Sequence, residues 1–246
     1  MPTASPTPAP AGCTAGNRVP AGSPQLIGAI GNTINGMALT LDMGGRLEPA
    51  LDILDFLIAN RVCVTFFPTG AMAQTTVGAQ VMAVIAARPD LFEIGNHTMH
   101  HCNLRDGGGG SPTSAPCALG GAPSVSFIQS ELTDAEAILA AAAGQTSQPY
   151  WRPPYGAYNQ TVLTAASAVG YTKTIMWSID TIDWKPIADG GPSAQQIATK
   201  VVTLATSGSI VLMHLGGYET LDALKIMVPA LRDRGLLLTS ISDLLN

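Results

Sequence analysis

Apolar positions along this chain switch repeatedly between short, continuous β-branched runs and longer stretches with three-and-four spacing, the signatures of strand and helix. "MALTLD" (Met37–Asp42) reads as a strand, and "PALDILDFLIAN" (Pro49–Asn60) as a helix with Pro49 suited to its first turn. "VCVTFFP" (Val62–Pro68) is a strand, "VGAQVMAVIAAR" (Val77–Arg88) a helix and "LFEIGNH" (Leu91–His97) a short strand. A long helix follows over Ser124–Gly144, with Ser124 or Ser126 as its cap and Gly144 as its stop. The second half repeats the rhythm: a strand end at Pro149–Tyr155, a helix over Asn159–Gly170, a strand over Thr172–Asp180 and a helix over Ser193–Thr206. A doubly covered strand spans Ser209–Leu215, a helix over Glu219–Gly235 is expected to break at Pro229, and a last strand and short helix close at Leu245. Seven βα-like units in succession predict an α/β fold, a distorted (β/α) barrel of seven or eight strands. The competing open doubly wound sheet would carry a glycine-rich phosphate fingerprint after its first strand, and none is present.

Composition narrows the classes. No apolar run approaches the ~18 residues of a membrane-spanning helix. The four Lys and eight Arg are scattered and the net charge is −5, which argues against nucleic acid as a partner. Residues 1–24 are rich in Pro, Thr, Ser and Ala and read as an extended linker, leaving 25–246 as the folded domain. No charged segment followed by an apolar one precedes that tract, and the expectation is a chain that begins just after an export signal and is secreted or wall-associated. Cys13, Cys63, Cys102 and Cys117 lack metal-type spacing. Cys102 and Cys117 bracket a glycine-rich loop and are expected to bridge it, with Cys13 and Cys63 as the second pair.

In a βα barrel, chemistry gathers where strands end. Asp42 ends the first predicted strand, His97 and His101 follow the third, and Arg152 the fourth. Asp180, Asp183 and Trp184 follow the fifth, and His214 ends the sixth. On one helical turn His97 and His101 would face the same way and suit a divalent metal; His97 with His100 would serve equally well. Arg152, stiffened by two prolines, can fork onto a carboxylate such as Asp42. His214 suits proton donation near neutrality.

The ordered set "TLDM", "HTMHH", "RPPY", "DTIDW" and "LMH" resembles the polysaccharide deacetylases with a NodB homology domain, carbohydrate esterase family 4. The resemblance implies release of acetate from N- or O-acetylated glycans such as chitin oligomers, peptidoglycan or xylan. It implies Asp42 as base, Arg152 as its orienting partner, His214 as acid and Asp183 as the group tuning that acid. It implies His97 and His101 as metal ligands, with zinc first and cobalt or nickel as substitutes. Tyr155 and Trp184 match groove positions, with the Tyr155 N–H at the oxyanion.

One position departs from the pattern. Where the family has a second aspartate completing a His-His-Asp metal triad, this chain has Met43. A neutral thioether is a poor replacement for a carboxylate on zinc. Asp42 could shift onto the metal, water could fill the gap, or the metal could be lost. The other readings are a carbohydrate-binding protein stacking sugars on Tyr155, Trp184 and Trp151, and an esterase or amidase for non-glycan acyl groups.

Overall fold

The computed structural model describes residues 18–31, 34–111, 116–118 and 120–246. Cys13, and with it the predicted Cys13–Cys63 pair, lies outside the described residues, as do residues 1–17 of the predicted linker. Arg18 is already anchored to the domain, donating to the carbonyls of Ile94 (2.7 Å), Ser147 and Gln148.

The strands are β1 (Gln25–Ile27), β2 (Gly36–Met43), β3 (Val64–Pro68), β4 (Phe92–Ile94), β5 (Tyr150–Trp151), β6 (Lys173–Ile175), β7 (Ile179–Asp180), β8 (Ile210–His214) and β9 (Leu237–Thr239). The helices are α1 (Ala50–Ala59), α2 (Gly70–Ala73), α3 (Thr76–Ala86), α4 (Val125–Ala143), α5 (Gln160–Ala168), α6 (Ala194–Leu204), α7 (Thr220–Asp233) and α8 (Ile241–Leu245). Every ladder is parallel. One sheet has the order β4-β3-β2-β8-β7, with β9 paired to the start of β2; the other is β1-β6-β5. The sheets meet at a bridge between Asn96 and Trp151 and through the continuous segment 173–180. The ladders therefore do not run unbroken around the barrel, and the α/β architecture is distorted in the expected sense.

The central strand β2 sets up the site by its period of two. Met37, Leu39, Leu41 and Met43 join the main apolar core, which includes buried residues of α1, α3, α6 and α7. Ala38, Thr40 and Asp42 lie on the other face of the strand. All eight residues are buried, as a strand covered on both faces requires.

Two expectations need correction. The strand predicted over Thr172–Asp180 is split, because the segment changes partners midway: Met176 N–H donates to Ile27 of β1 and Ser178 N–H to Ile210 of β8. Helix α7 runs through Pro229 without interruption. Its buried stripe of Leu224, Met227, Val228 and Leu231 holds it against the core and outweighs the one hydrogen bond the proline cannot make. The caps fall where polar residues precede apolar periodicity, with Ser124, Asn159 and Ser193 accepting from backbone N–H groups of α4, α5 and α6. Cys102 and Cys117 are bridged as expected.

Candidate active site

The strand ends converge on a cavity of about 540 Å³. Asp42 lies at its base, 5 % exposed. Its Oδ1 accepts from Arg152 Nη1 at 2.6 Å, and its Oδ2 lies 3.4 Å from His97 Nε2. Arg152 is wholly buried, and each of its three side-chain nitrogens is engaged. Its Nη2 donates to Thr40 Oγ1 (2.9 Å) and the Met176 carbonyl (3.2 Å), its Nε to the Ile175 carbonyl (2.9 Å), and it lies over the Phe67 ring. The break between β6 and β7 thus serves the site, since carbonyls near it turn to the guanidinium. Burial alone would raise the Asp42 pKa, but Arg152, His97 and His214 overcome it and hold the carboxyl below its ordinary value.

His214 and Asp183 form the second pair. Asp183 Oδ1 meets His214 Nδ1 at 2.7 Å, its Oδ2 accepts the His214 backbone N–H at 2.9 Å, and the Thr220 hydroxyl also donates to Oδ2. Burial would lower the His214 pKa; Asp183, then Asp42 and Asp180, more than reverse this and raise it.

The segment from His97 to His101 is not the helical turn expected from its spacing. Thr98 and His101 take positive φ, and the turn is tied by the Thr98 N–H to Asn96 Oδ1 and the His101 N–H to Thr98 Oγ1. The His97 and His101 rings still meet, with centroids 4.8 Å apart. A Cβ at Gly44 would lie 2.4 Å from His101 Cδ2, so only glycine lets that ring approach β2 so closely. His100 is committed to buried Glu131, which takes its Nδ1 at 2.6 Å and its backbone N–H at 2.9 Å. Burial lowers the pKa of His97 despite Asp42, and lowers that of His101 to about 3. Both rings are neutral at ordinary pH.

Tyr155 and Trp184 line the cavity, 56 % and 54 % exposed. The Tyr155 hydroxyl accepts from the Gly110 N–H at 3.3 Å, so the disulfide-closed loop leans on the rim. Trp151 is no stacking surface: it is fully buried and donates to Thr174 Oγ1 at 2.8 Å. Sequence reasoning missed Thr40, Glu131 and Thr220, which hold functional groups, and Arg46 and Tyr218 on the cavity wall. Of the six non-glycine residues with positive φ among the described residues, Thr98, His101, Tyr155 and Ile182 belong to the site loops, where local strain tends to gather.

Parallel strands thus end in an arginine-held carboxylate and an aspartate-held histidine that face one cavity on a NodB-like α/β fold. Residues 32–174 match the polysaccharide deacetylase family, and the chain belongs to that family. It is 28 % identical to a chitooligosaccharide deacetylase of Sinorhizobium fredii, over 82 % of this chain and 88 % of that one. It is 27 % identical to the Bacillus subtilis peptidoglycan-N-acetylmuramic acid deacetylase PdaA, over 84 % of this chain and 70 % of that one. Among solved structures it resembles BA3943 of Bacillus anthracis, described as a CE4 family pseudoenzyme, with a TM-score of 0.74 and 27 % identity over 91 % of this chain and 70 % of that one. A BA3943 mutant with restored enzymatic activity superposes with a TM-score of 0.75 at 28 % identity, over 91 % of this chain and 72 % of that one.

Members of this family are generally metal-dependent. His97 Nδ1 is bound to the Arg152 carbonyl at 2.8 Å, which leaves Nε2 to face the cavity, and His101 supplies a second neutral imidazole. The third donor is missing. Met43 lies in the apolar core, and among the described residues no group of three or more His, Cys, Asp or Glu could hold a metal ion. The donors present do not fit a centre with three protein ligands.

Proposed function

We propose that this protein hydrolyses N- or O-acetyl groups on a glycan, of the chitin-oligomer, peptidoglycan or xylan type. The observation that carries this reading is the opposite tuning of two groups facing one cavity. Arg152 keeps Asp42 ionised, and Asp183 keeps the proton on His214. Asp42 takes a proton from water as that water attacks the acetyl carbonyl carbon. The Tyr155 backbone N–H receives the developing oxyanion. His214 gives its proton to the departing sugar nitrogen or oxygen, and acetate is released. Trp184 and the exposed face of Tyr155 hold the sugar. His97 and His101 are the two donors a divalent cation would take, zinc first and cobalt or nickel after it. The catalytic domain comprises residues 25–246 with the segment from Arg18 docked onto it, and we assign the residues before Arg18 as its tether. The Cys102–Cys117 bridge supports action in an oxidising compartment, secreted or at the wall.

Met43 favours a second reading, a glycan-binding relative without turnover. Met43 holds the sequence position at which the family resemblance expects a metal-binding acid, its side chain lies in the apolar core, and BA3943 is described as a pseudoenzyme. Acetate release from a panel of acetylated glycans, with added zinc or cobalt and again after chelation, separates the two. Release from any glycan supports the hydrolase. Glycan binding that survives Asp42→Asn, with no acetate released by the wild type, establishes the binder.

A further inference from the structure

Arg46 stands on the cavity wall four residues past Asp42, in a setting that fixes it. Its Nη1 donates to the Gly216 carbonyl at 2.9 Å and to the Glu48 carbonyl, and its guanidinium lies 4.6 Å from the centre of the Tyr218 ring. Gly216 is two residues past His214, and the intervening Leu215 N–H donates to the Asp42 carbonyl at 2.9 Å. Arg46 is therefore pinned to the loop that carries the proton donor. On that side of the reaction lies the sugar rather than the acetyl group, because the proton goes to the atom that stays on the sugar.

The charge of Arg46 is only loosely matched. Its neighbour Glu48 lies 3.6 Å from Nε with a side chain 78 % exposed, a loose pair that solvent screens. Among the described residues lining the cavity there is no other arginine and no lysine. Arg152 is consumed by Asp42, Thr40 and two carbonyls. Asp180, also on the wall, has one oxygen taken by the Ile182 N–H and repels an anion from the β7 end. An anionic substituent entering the cavity meets Arg46, whose remaining N–H groups can fork onto a carboxylate.

We infer that Arg46, backed by Tyr218, selects glycans that bear a carboxylate close to the acetylated position, on the acetylated sugar or on a neighbouring one. This rests on the deacetylase reading and names its substrate class. The carboxylate could come from a lactyl ether, as in N-acetylmuramic acid, or from a uronic acid on an acetylated plant glycan.

The test is calorimetric titration of the full chain with four oligosaccharides. These are a GlcNAc–MurNAc oligomer with free carboxylates, the same oligomer amidated, an acetylated aldouronic oligosaccharide and neutral chitotetraose. The wild type should bind one of the acids about tenfold more tightly than the neutral sugars, with the gap narrowing as salt rises. The acid that shows the gap identifies the source. Arg46→Ala should close the gap, and Arg46→Lys should keep part of it, since charge remains while the fork is lost. Equal affinities in the wild type, or a gap that persists in Arg46→Ala, overturns the assignment. Acetate release is read in the same samples. Turnover of chitotetraose without acid preference removes the role of Arg46 and leaves the deacetylase reading standing. Neither binding nor turnover of any sugar removes both.

Discussion

At the scale of single residues, the site is a balance of charges held out of water. Asp42 and Arg152 are both buried and depend on one another. Asp42→Asn should abolish acetate release and also lower stability by about 3 kcal/mol, because it leaves a buried guanidinium without its counter-charge. His214→Ala should lower kcat by about 10²–10⁴-fold, with a smaller change in stability, since the histidine is part-exposed. Steady-state kinetics and chemical denaturation on the two variants check both. The pH profile follows from the same groups. The acid must carry its proton, and Asp183 raises the His214 pKa above its ordinary value, so the alkaline fall of kcat/KM should come past pH 6.5, while the acid-side fall, set by protonation of Asp42, should come below the ordinary carboxylate range. Met43→Asp restores the acid that the family pattern carries at this position. It should tighten zinc binding by about tenfold or more, read by calorimetry. It should also cost stability, because position 43 lies in the apolar core.

At the scale of elements, the loop carrying His97 and His101 is positioned from two sides. Helix α4 supplies Glu131, which holds His100 away from the cavity, and the Cys102–Cys117 bridge closes the glycine-rich excursion that leans on Tyr155. The bridge spans 15 residues. Replacing both cysteines by alanine should lower stability by up to about 3 kcal/mol, measured by denaturant titration. Much of this level was legible in the sequence. Ser124, Asn159 and Ser193 announced their helices, and the apolar run at Ile210–His214 announced its strand. The split between β6 and β7 was not legible, because Thr172–Asp180 has strand composition throughout and the break is made by partners on β1 and β8. Nor was the turn at His97–His101, where side-chain bonds from Asn96 and Thr98 override a spacing that looks helical.

At the scale of the whole molecule, the order of the motifs pointed to one cavity, because each lies at the end of a strand and parallel strands gather their ends at one mouth. The residues that hold them were hidden. Thr40, Glu131 and Thr220 are far along the chain from their partners, and no local pattern marks them. Arg46 and Tyr218 meet only because β2 and β8 are neighbours. Burial of neutral histidines also couples the site to global stability. Between pH 6.5 and about 3 the unfolded chain binds a proton that folded His101 refuses, so this group makes the fold less stable as pH falls. Glu93, raised by burial, acts in the opposite sense, its stabilising share being present below its ordinary pKa and lost as pH rises. Comparison with His101→Asn isolates the histidine. The fall in Tm between pH 7 and 4 should be smaller in the variant than in the wild type.

The interruption between β6 and β7 has a consequence for anyone who would engineer this protein. A designer seeking a hardier barrel would zip segment 173–180 into one continuous strand, completing the ring of ladders. That repair would reclaim the Ile175 and Met176 carbonyls for the sheet and unseat Arg152. The protein would gain heat tolerance and lose the group that keeps its base charged. On the proposed mechanism, the gap in the weave exchanges durability for reactivity.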